Sequence, residues 1–131
     1  MIIQSQEKIV PLVAVIDDDE SMREALESLL KSVGFRTAIY ASAKEFLNAV
    51  KKDVPDCLIL DVLMPEMNGL ELQKKLLEEN IPVPIVFISA HGETGEKAQA
   101  LAAGAIDFLH KPFSEDSLLG AVGAAIKSEA N

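Results

Sequence analysis

At 131 residues the chain has room for one domain with a real core, but not for two. Its formal net charge of −9 argues against direct binding of a nucleic-acid backbone, which needs a concentrated positive surface. No apolar run approaches the ~18 residues of a membrane span, and Met1 to Lys8 lacks the basic start and long apolar stretch of a secretory signal.

Residues 1–9 read as a leader, 10–127 as the domain, and 128–131 as a tail or the start of a linker. Leu12-Val13-Ala14-Val15-Ile16 is a continuous apolar run, the pattern of a strand covered on both faces, and it ends in Asp17-Asp18-Asp19-Glu20. Met22, Leu26, Leu29, Leu30 and Val33 then recur at helical spacing, with Arg23, Glu24, Glu27 and Lys31 between them. Gly34 stops that helix. Arg36 to Tyr40 is a short strand, and Ser42 with Glu45 has capping-box spacing ahead of a helical stripe of Phe46, Leu47 and Val50. Pro55 prevents that helix from continuing.

Cys57-Leu58-Ile59-Leu60 is a third buried strand, ending at Asp61 before a loop broken by Pro65 and Gly69. Cys57 reads as a core thiol, and a single cysteine fits the reducing cytoplasm. The helix over about 68–79 is expected to bury Leu72, Leu76 and Leu77, with Pro82 and Pro84 framing its exit. Ile85-Val86-Phe87-Ile88 runs into Ser89. A weaker helix is expected to turn Ala98, Leu101 and Ala102 inward and to stop at Gly104. Ile106 to His110 is the fifth strand, followed by Lys111-Pro112-Phe113. Ser114 can cap a last helix, with Glu115 and Asp116 in its first turn and Leu118, Val122, Ala125 and Ile126 facing inward.

Five strand–helix units with continuous apolar strands imply an α/β fold whose parallel sheet is covered on both faces. Right-handed crossovers make this a flavodoxin-like (βα)5 three-layer sandwich with strand order 2-1-3-4-5. That order brings Asp17, Asp18, Asp61, Ser89 and Lys111 to one edge from four strand ends, where such sheets bind ligands. Clustered carboxylates repel unless a cation compensates. Mg²⁺ suits an all-oxygen site with few carboxylates. No Cys/His set suits zinc, since His91 and His110 stand isolated. Asp19 and Glu20 also fit a solvated helix entry. The Lys111 charge and the Ser89 hydroxyl supply what a phosphoryl group needs beside an attacking carboxylate. The plainer alternative for Lys111 is a salt bridge to Asp61.

In this order and spacing the residues resemble the receiver domain of bacterial two-component response regulators, from about Leu12 to Ile126. The family's acidic pair is matched by Asp17 and Asp18, with Met22 and Arg23 following. Its phosphoacceptor is matched by Asp61 within Asp61-Val62-Leu63-Met64-Pro65-Glu66-Met67-Asn68-Gly69. Its hydroxyl is matched by Ser89 before Ala90, its Lys-Pro pair by Lys111-Pro112, and its switch aromatic by Phe108. The triple acid Asp17-Asp18-Asp19 and a short last helix look most like receivers of the nitrogen-fixation and nodulation transcription regulators.

The resemblance implies that Asp61 takes a phosphoryl group from the phosphohistidine of a sensor histidine kinase or phosphotransfer protein. It further implies Mg²⁺ held by Asp18, Asp61 and the backbone carbonyl of Leu63, with Asp17 reaching it through water. Lys111 and Ser89 would take the remaining phosphoryl oxygens, the Lys111-Pro112 bond would be cis, and Leu63 would shield the acyl phosphate. Phe108 would turn inward from an outward rotamer as Ser89 moves, remodelling the face of helix four, strand five and helix five for partner binding or homodimerisation. The family self-catalyses phosphorylation and dephosphorylation but is no conventional enzyme. A DNA-binding domain on the C-terminal side would carry the output to transcription; the alternative is a stand-alone receiver signalling by protein contact or acting as a relay intermediate. A Mg²⁺-dependent aspartyl phosphatase fits less well, because Leu63 stands where its acid/base aspartate is needed.

Overall fold

Five strands and five helices alternate along the chain: β1 (Leu12–Ile16), α1 (Glu20–Ser32), β2 (Arg36–Tyr40), α2 (Ala43–Val50), β3 (Cys57–Asp61), α3 (Gly69–Glu78), β4 (Ile85–Ser89), α4 (Thr94–Ala102), β5 (Asp107–His110) and α5 (Glu115–Ala130). The computed structural model describes residues 10–90 and 94–130. The leader expected over residues 1–9, and His91, lie outside the described residues. The strands form one parallel sheet in the order β2-β1-β3-β4-β5, as the crossover rule requires.

Each strand sends alternate side chains to opposite faces, so the continuous apolar runs feed two separate cores. Ala14, Ile16, Leu58, Leu60 and Phe87 meet Phe46 of α2, Leu72 and Leu76 of α3, and Ala100 of α4. Val13, Val15, Ile59, Val86 and Ile88 meet Leu26 and Leu30 of α1, and Leu118, Val122 and Ala125 of α5. Cys57 is buried in this second core, as a structural thiol would be. The register pairs Ile16 with Leu60 and Ser89 with His110, which sets Asp17, the residue after β1, level with the last residue of β3 and puts Lys111 one step beyond the last residue of β4.

Helix ends follow local chemistry. Asp19 caps α1 by accepting from the Ser21 amide at 3.0 Å, and Gly34 follows the helix with φ 98°. Ser42 accepts from the Glu45 amide at 3.2 Å, but Glu45 reaches back to the Ala41 amide (3.1 Å), one residue before the cap. A complete reciprocal box, absent from the sequence reading, opens α3: Asn68 and Glu71 each accept the other's amide at 2.8 Å. Ser114 accepts from the Ser117 amide (3.0 Å) and so caps α5 as expected.

Three expectations are corrected. Leu77 is 58% exposed: at about 100° per residue it lies about 140° from Leu72, outside the inner arc, and Gln73 joins Leu72 and Leu76 there instead, its Nε2 donating to the Ala100 carbonyl at 3.1 Å. Ala98, Leu101 and Ala102 of α4 are exposed, and the residue turned inward is Ala100. A helix of small residues has too little amphipathic contrast for its inward face to be read from spacing. The last helix is not short: at 16 residues α5 is the longest of the five, continuing to Ala130.

Gly69 ties α3 to the end of β3. Its amide donates to the Val62 carbonyl at 2.8 Å, and a Cβ there would lie 2.6 Å from the Asp61 carbonyl oxygen and 3.0 Å from the Phe87 ring. The first obstacle is backbone, so it cannot yield without moving Asp61. Gly69→Ala is therefore expected to cost about 1–3 kcal/mol, read as a lower urea midpoint, and to shift the Asp61 amide resonance. A variant with wild-type stability and an unmoved Asp61 amide would contradict this account of the loop.

Candidate functional site

The carboxyl ends of β1, β3, β4 and β5 bring the expected residues together. Carboxylate oxygens of Asp17, Asp18 and Asp61 all lie within 4.8 Å of one another; Asp17 and Asp61 are buried and Asp18 is exposed. The acids after β1 divide their roles. Asp19 and Glu20 begin α1, as cap and first-turn acid. Asp17 turns back, accepting the Asp19 amide on Oδ1 at 2.9 Å, while Arg23 Nη1 donates to the Asp17 main-chain carbonyl at 2.8 Å.

Lys111 enters from the other side. Its amide donates to the Ser89 carbonyl at 2.7 Å, and the Lys111-Pro112 bond is cis, as the resemblance implied. Its ammonium lies 2.9 Å from Asp17 Oδ2 and 3.8 Å from Asp61 Oδ1. The salt bridge expected with Asp61 is thus made mainly with Asp17. Asp17, with no solvent exposure, is the carboxylate with the greater need of a counter-charge. Three carboxylates against one ammonium leave a formal excess of two negative charges (−3 + 1 = −2).

Asp61 bears the cost of that excess. Burial above all, then the negative charge of Asp17, pushes its carboxyl up from 3.8 to about 7. Asp18 and a hydrogen bond with Asp17 act in the same direction, and only Lys111 opposes them. Oxygen-only donors at close range, an unneutralised negative excess and a carboxyl held near neutrality form a donor set that fits Mg²⁺.

The remaining expected residues lie on the loop after β3 and on β4 and β5. Ser89 is buried at the end of β4. Leu63, two residues past Asp61, is 44% exposed, whereas Met64 turns inward and Met67 packs against the core. Phe108 is already inside at 3% exposure, against the expected outward ring. Its centroid is 6.0 Å from that of Phe87 and 5.6 Å from that of His110, which meets it edge-on. The small Ala100, in the same core, leaves room for the ring. Among the described residues no helix is long and apolar enough to cross a membrane. Arg23 is the site residue to which the sequence reading gave no role; its bond to Asp17 spans six positions and has no spacing signature.

The raised Asp61 pKa dictates a pH dependence of the metal-free protein. Between 3.8 and about 7 the folded state holds a proton that the unfolded state has lost, so stability falls as pH rises through that window. Asp61→Asn removes the titrating group. In chelator-treated protein the variant should melt above wild type at about pH 8, with the gap closing as pH falls towards 4. A gap that does not change with pH would contradict the assignment.

Comparison with known proteins agrees with this arrangement. The family profile of the response regulator receiver domain matches residues 13–123. Response regulator protein TmoT of Ectopseudomonas mendocina is 49% identical over 88% of this chain and 53% of its own length. Nodulation protein W of Bradyrhizobium diazoefficiens is 43% identical over 90% and 52%. The chain thus spans about half the length of the curated relatives it matches. Among solved structures, the response regulator StyR superposes with a TM-score of 0.87 at 43% identity, over 93% of this chain and 62% of that one. The FixJ-N structure does so with 0.85 at 32%, over 92% and 96%. Strand order, acidic cluster and family profile agree: the chain belongs to the response regulator receiver domain family.

Proposed function

We propose that Asp61 is the phosphoacceptor and that the chain switches a protein-interaction face when it is modified. The observation that carries this reading is the meeting of Asp61 with Asp17 and Lys111 at the strand ends, where a nucleophile, its acidic neighbours and a fixed cation share one site. The Asp61 carboxylate attacks the phosphorus of a phosphohistidine presented by a sensor histidine kinase or phosphotransfer protein. The P–N bond breaks, its electron pair returns to the imidazole, and an acyl phosphate remains on Asp61. Receiver domains are acceptors of this kind rather than conventional enzymes.

Asp18, Asp61 and the Leu63 carbonyl would hold Mg²⁺, with Asp17 at one remove, and the ion would supply neutralising charge beside the acceptor carboxylate. The chain's own residues do the rest. Lys111 stands close enough to both buried carboxylates to follow negative charge from Asp17 to the new phosphoryl group. The Ser89 hydroxyl donates to another phosphoryl oxygen, and its movement lets the Phe108 side of the sheet repack. Because Phe108 is already buried here, the ring is stabilised inside before any modification, and phosphorylation deepens a preference. The surface affected is that of α4, β5 and α5, which we assign to partner binding or homodimerisation.

Output through transcription is supported by the relatives. The transcriptional regulatory protein FixJ of Bradyrhizobium diazoefficiens is about twice the length matched here. A C-terminal DNA-binding domain would carry the response in that case.

Acetyl phosphate with Mg²⁺ is expected to label Asp61 alone, located by mass spectrometry; an Asp61→Asn protein labelled as fully as wild type would overturn the assignment. Leu63, exposed beside the acceptor, should hinder water more than a polar side chain does. Leu63→Asn is expected to shorten the acyl-phosphate half-life by roughly threefold or more. An unchanged or longer half-life would remove the shielding role.

A further inference from the structure

One cation at the site stands against the local field. Arg23 lies in the first turns of α1, where the partial positive charge of the helix N-terminus disfavours a second positive group. Its half-buried side chain nevertheless folds back along the helix, and Nη1 donates to the main-chain carbonyl of Asp17 at 2.8 Å. That carbonyl belongs to the peptide joining Asp17 to Asp18, the two acids of the cluster that follow β1. The Asp19 amide holds the other side of the same turn through Asp17 Oδ1 at 2.9 Å. Fixing this carbonyl fixes the peptide plane, and with it the directions in which both side chains leave the backbone. Asp17 is sent inward to Lys111 and Asp18 to the exposed rim, with their oxygens still within 4.8 Å of each other and of Asp61.

We propose that Arg23 is a positioning residue for the divalent-cation site, locking the Asp17–Asp18 peptide so that the carboxylates converge. The inference rests on the reading that this cluster takes Mg²⁺. A guanidinium is well matched to such a clamp, being planar, always charged and equipped with several N–H groups in a fixed fork, so it holds a carbonyl without titrating. Its charge is a disadvantage for cation binding, and this separates positioning from simple neutralisation. If Arg23 only offset the negative excess, removing it would tighten Mg²⁺. If it holds the turn, removing it loosens Mg²⁺ despite the gain in attraction.

NMR titration with Mg²⁺ of wild type, Arg23→Met, Arg23→Gln and Arg23→Lys decides the matter, with Leu29→Ala as a control that weakens α1 away from the site. Arg23→Met is expected to bind about tenfold more weakly, the scale of an outer-shell loss. Arg23→Lys should recover part of the affinity, because its ammonium can still donate to the carbonyl, and Leu29→Ala should bind as wild type does. Equal or tighter binding by Arg23→Met, or the same loss in Leu29→Ala, overturns the proposal. Should Arg23→Met fail to fold, Arg23→Gln decides: weaker binding supports positioning, and equal or tighter binding overturns it. If wild type itself shows no Mg²⁺ shifts at Asp18 and Asp61, the cation site falls and the inference falls with it. Normal wild-type shifts with an indifferent Arg23→Met remove the role of Arg23 alone.

Discussion

The ion pair between Asp17 and Lys111 is the contact on which the site depends. Asp17 has no exposed surface, and a buried charge is tolerated only when paired and hydrogen-bonded. Every polar group it carries is engaged. Its amide donates to the Tyr40 carbonyl, its own carbonyl accepts from Arg23, Oδ1 accepts from the Asp19 amide, and Oδ2 faces the Lys111 ammonium. This one residue therefore joins β2, the start of α1 and the segment after β5. Burial above all, with Lys111 lying nearer Asp17 than Asp61, leaves Asp61 the carboxyl pushed up to about 7.

Such an arrangement costs stability and needs a rigid support. The sheet supplies it: the central strands β1, β3 and β4 are buried along their whole length, with separate apolar cores on the two faces. Side chains at the strand ends inherit that rigidity through the register. The helices are less uniform in how they are held. α1 contributes Leu26 and Leu30 to its core, while α4 is held by Ala100 and the Gln73 bond to that residue's carbonyl. A rigid strand edge on one side and a lightly anchored helix on the other suit the proposed switch, since elements that move come from the weakly held end of a fold.

Much of this is legible in the sequence. Unbroken apolar strands such as Leu58-Ile59-Leu60 leave few choices but a covered parallel sheet, and crossover handedness then aligns Asp17, Asp61, Ser89 and Lys111. Features set by three-dimensional distance were not legible. Nothing in the spacing says that Lys111 sits nearer Asp17 than Asp61, that Gly69 must pass against the Asp61 carbonyl, or that Arg23 reaches back to Asp17. The inward face of α4 escaped because alanines carry little directional signal. Leu77 misled because it falls about 140° round the helix from Leu72, beyond the buried arc that ends at the polar Gln73. The burial of Phe108 depends on space beside Ala100, a property of packing across elements rather than of either segment.

The chain has a single tyrosine and no tryptophan, and Tyr40 stands at the end of β2 with its ring edge-on to Phe46 at 5.5 Å and its carbonyl accepting from the Asp17 amide. Intrinsic fluorescence therefore views the molecule from one corner, the β2 and α2 side of the acidic turn. A rearrangement there alters the emission, whereas repacking around Phe108, on the opposite edge of the sheet, leaves it dark. For this receiver, tyrosine emission and a probe placed on α4 are two independent channels, one for the acidic turn and one for the far edge of the sheet.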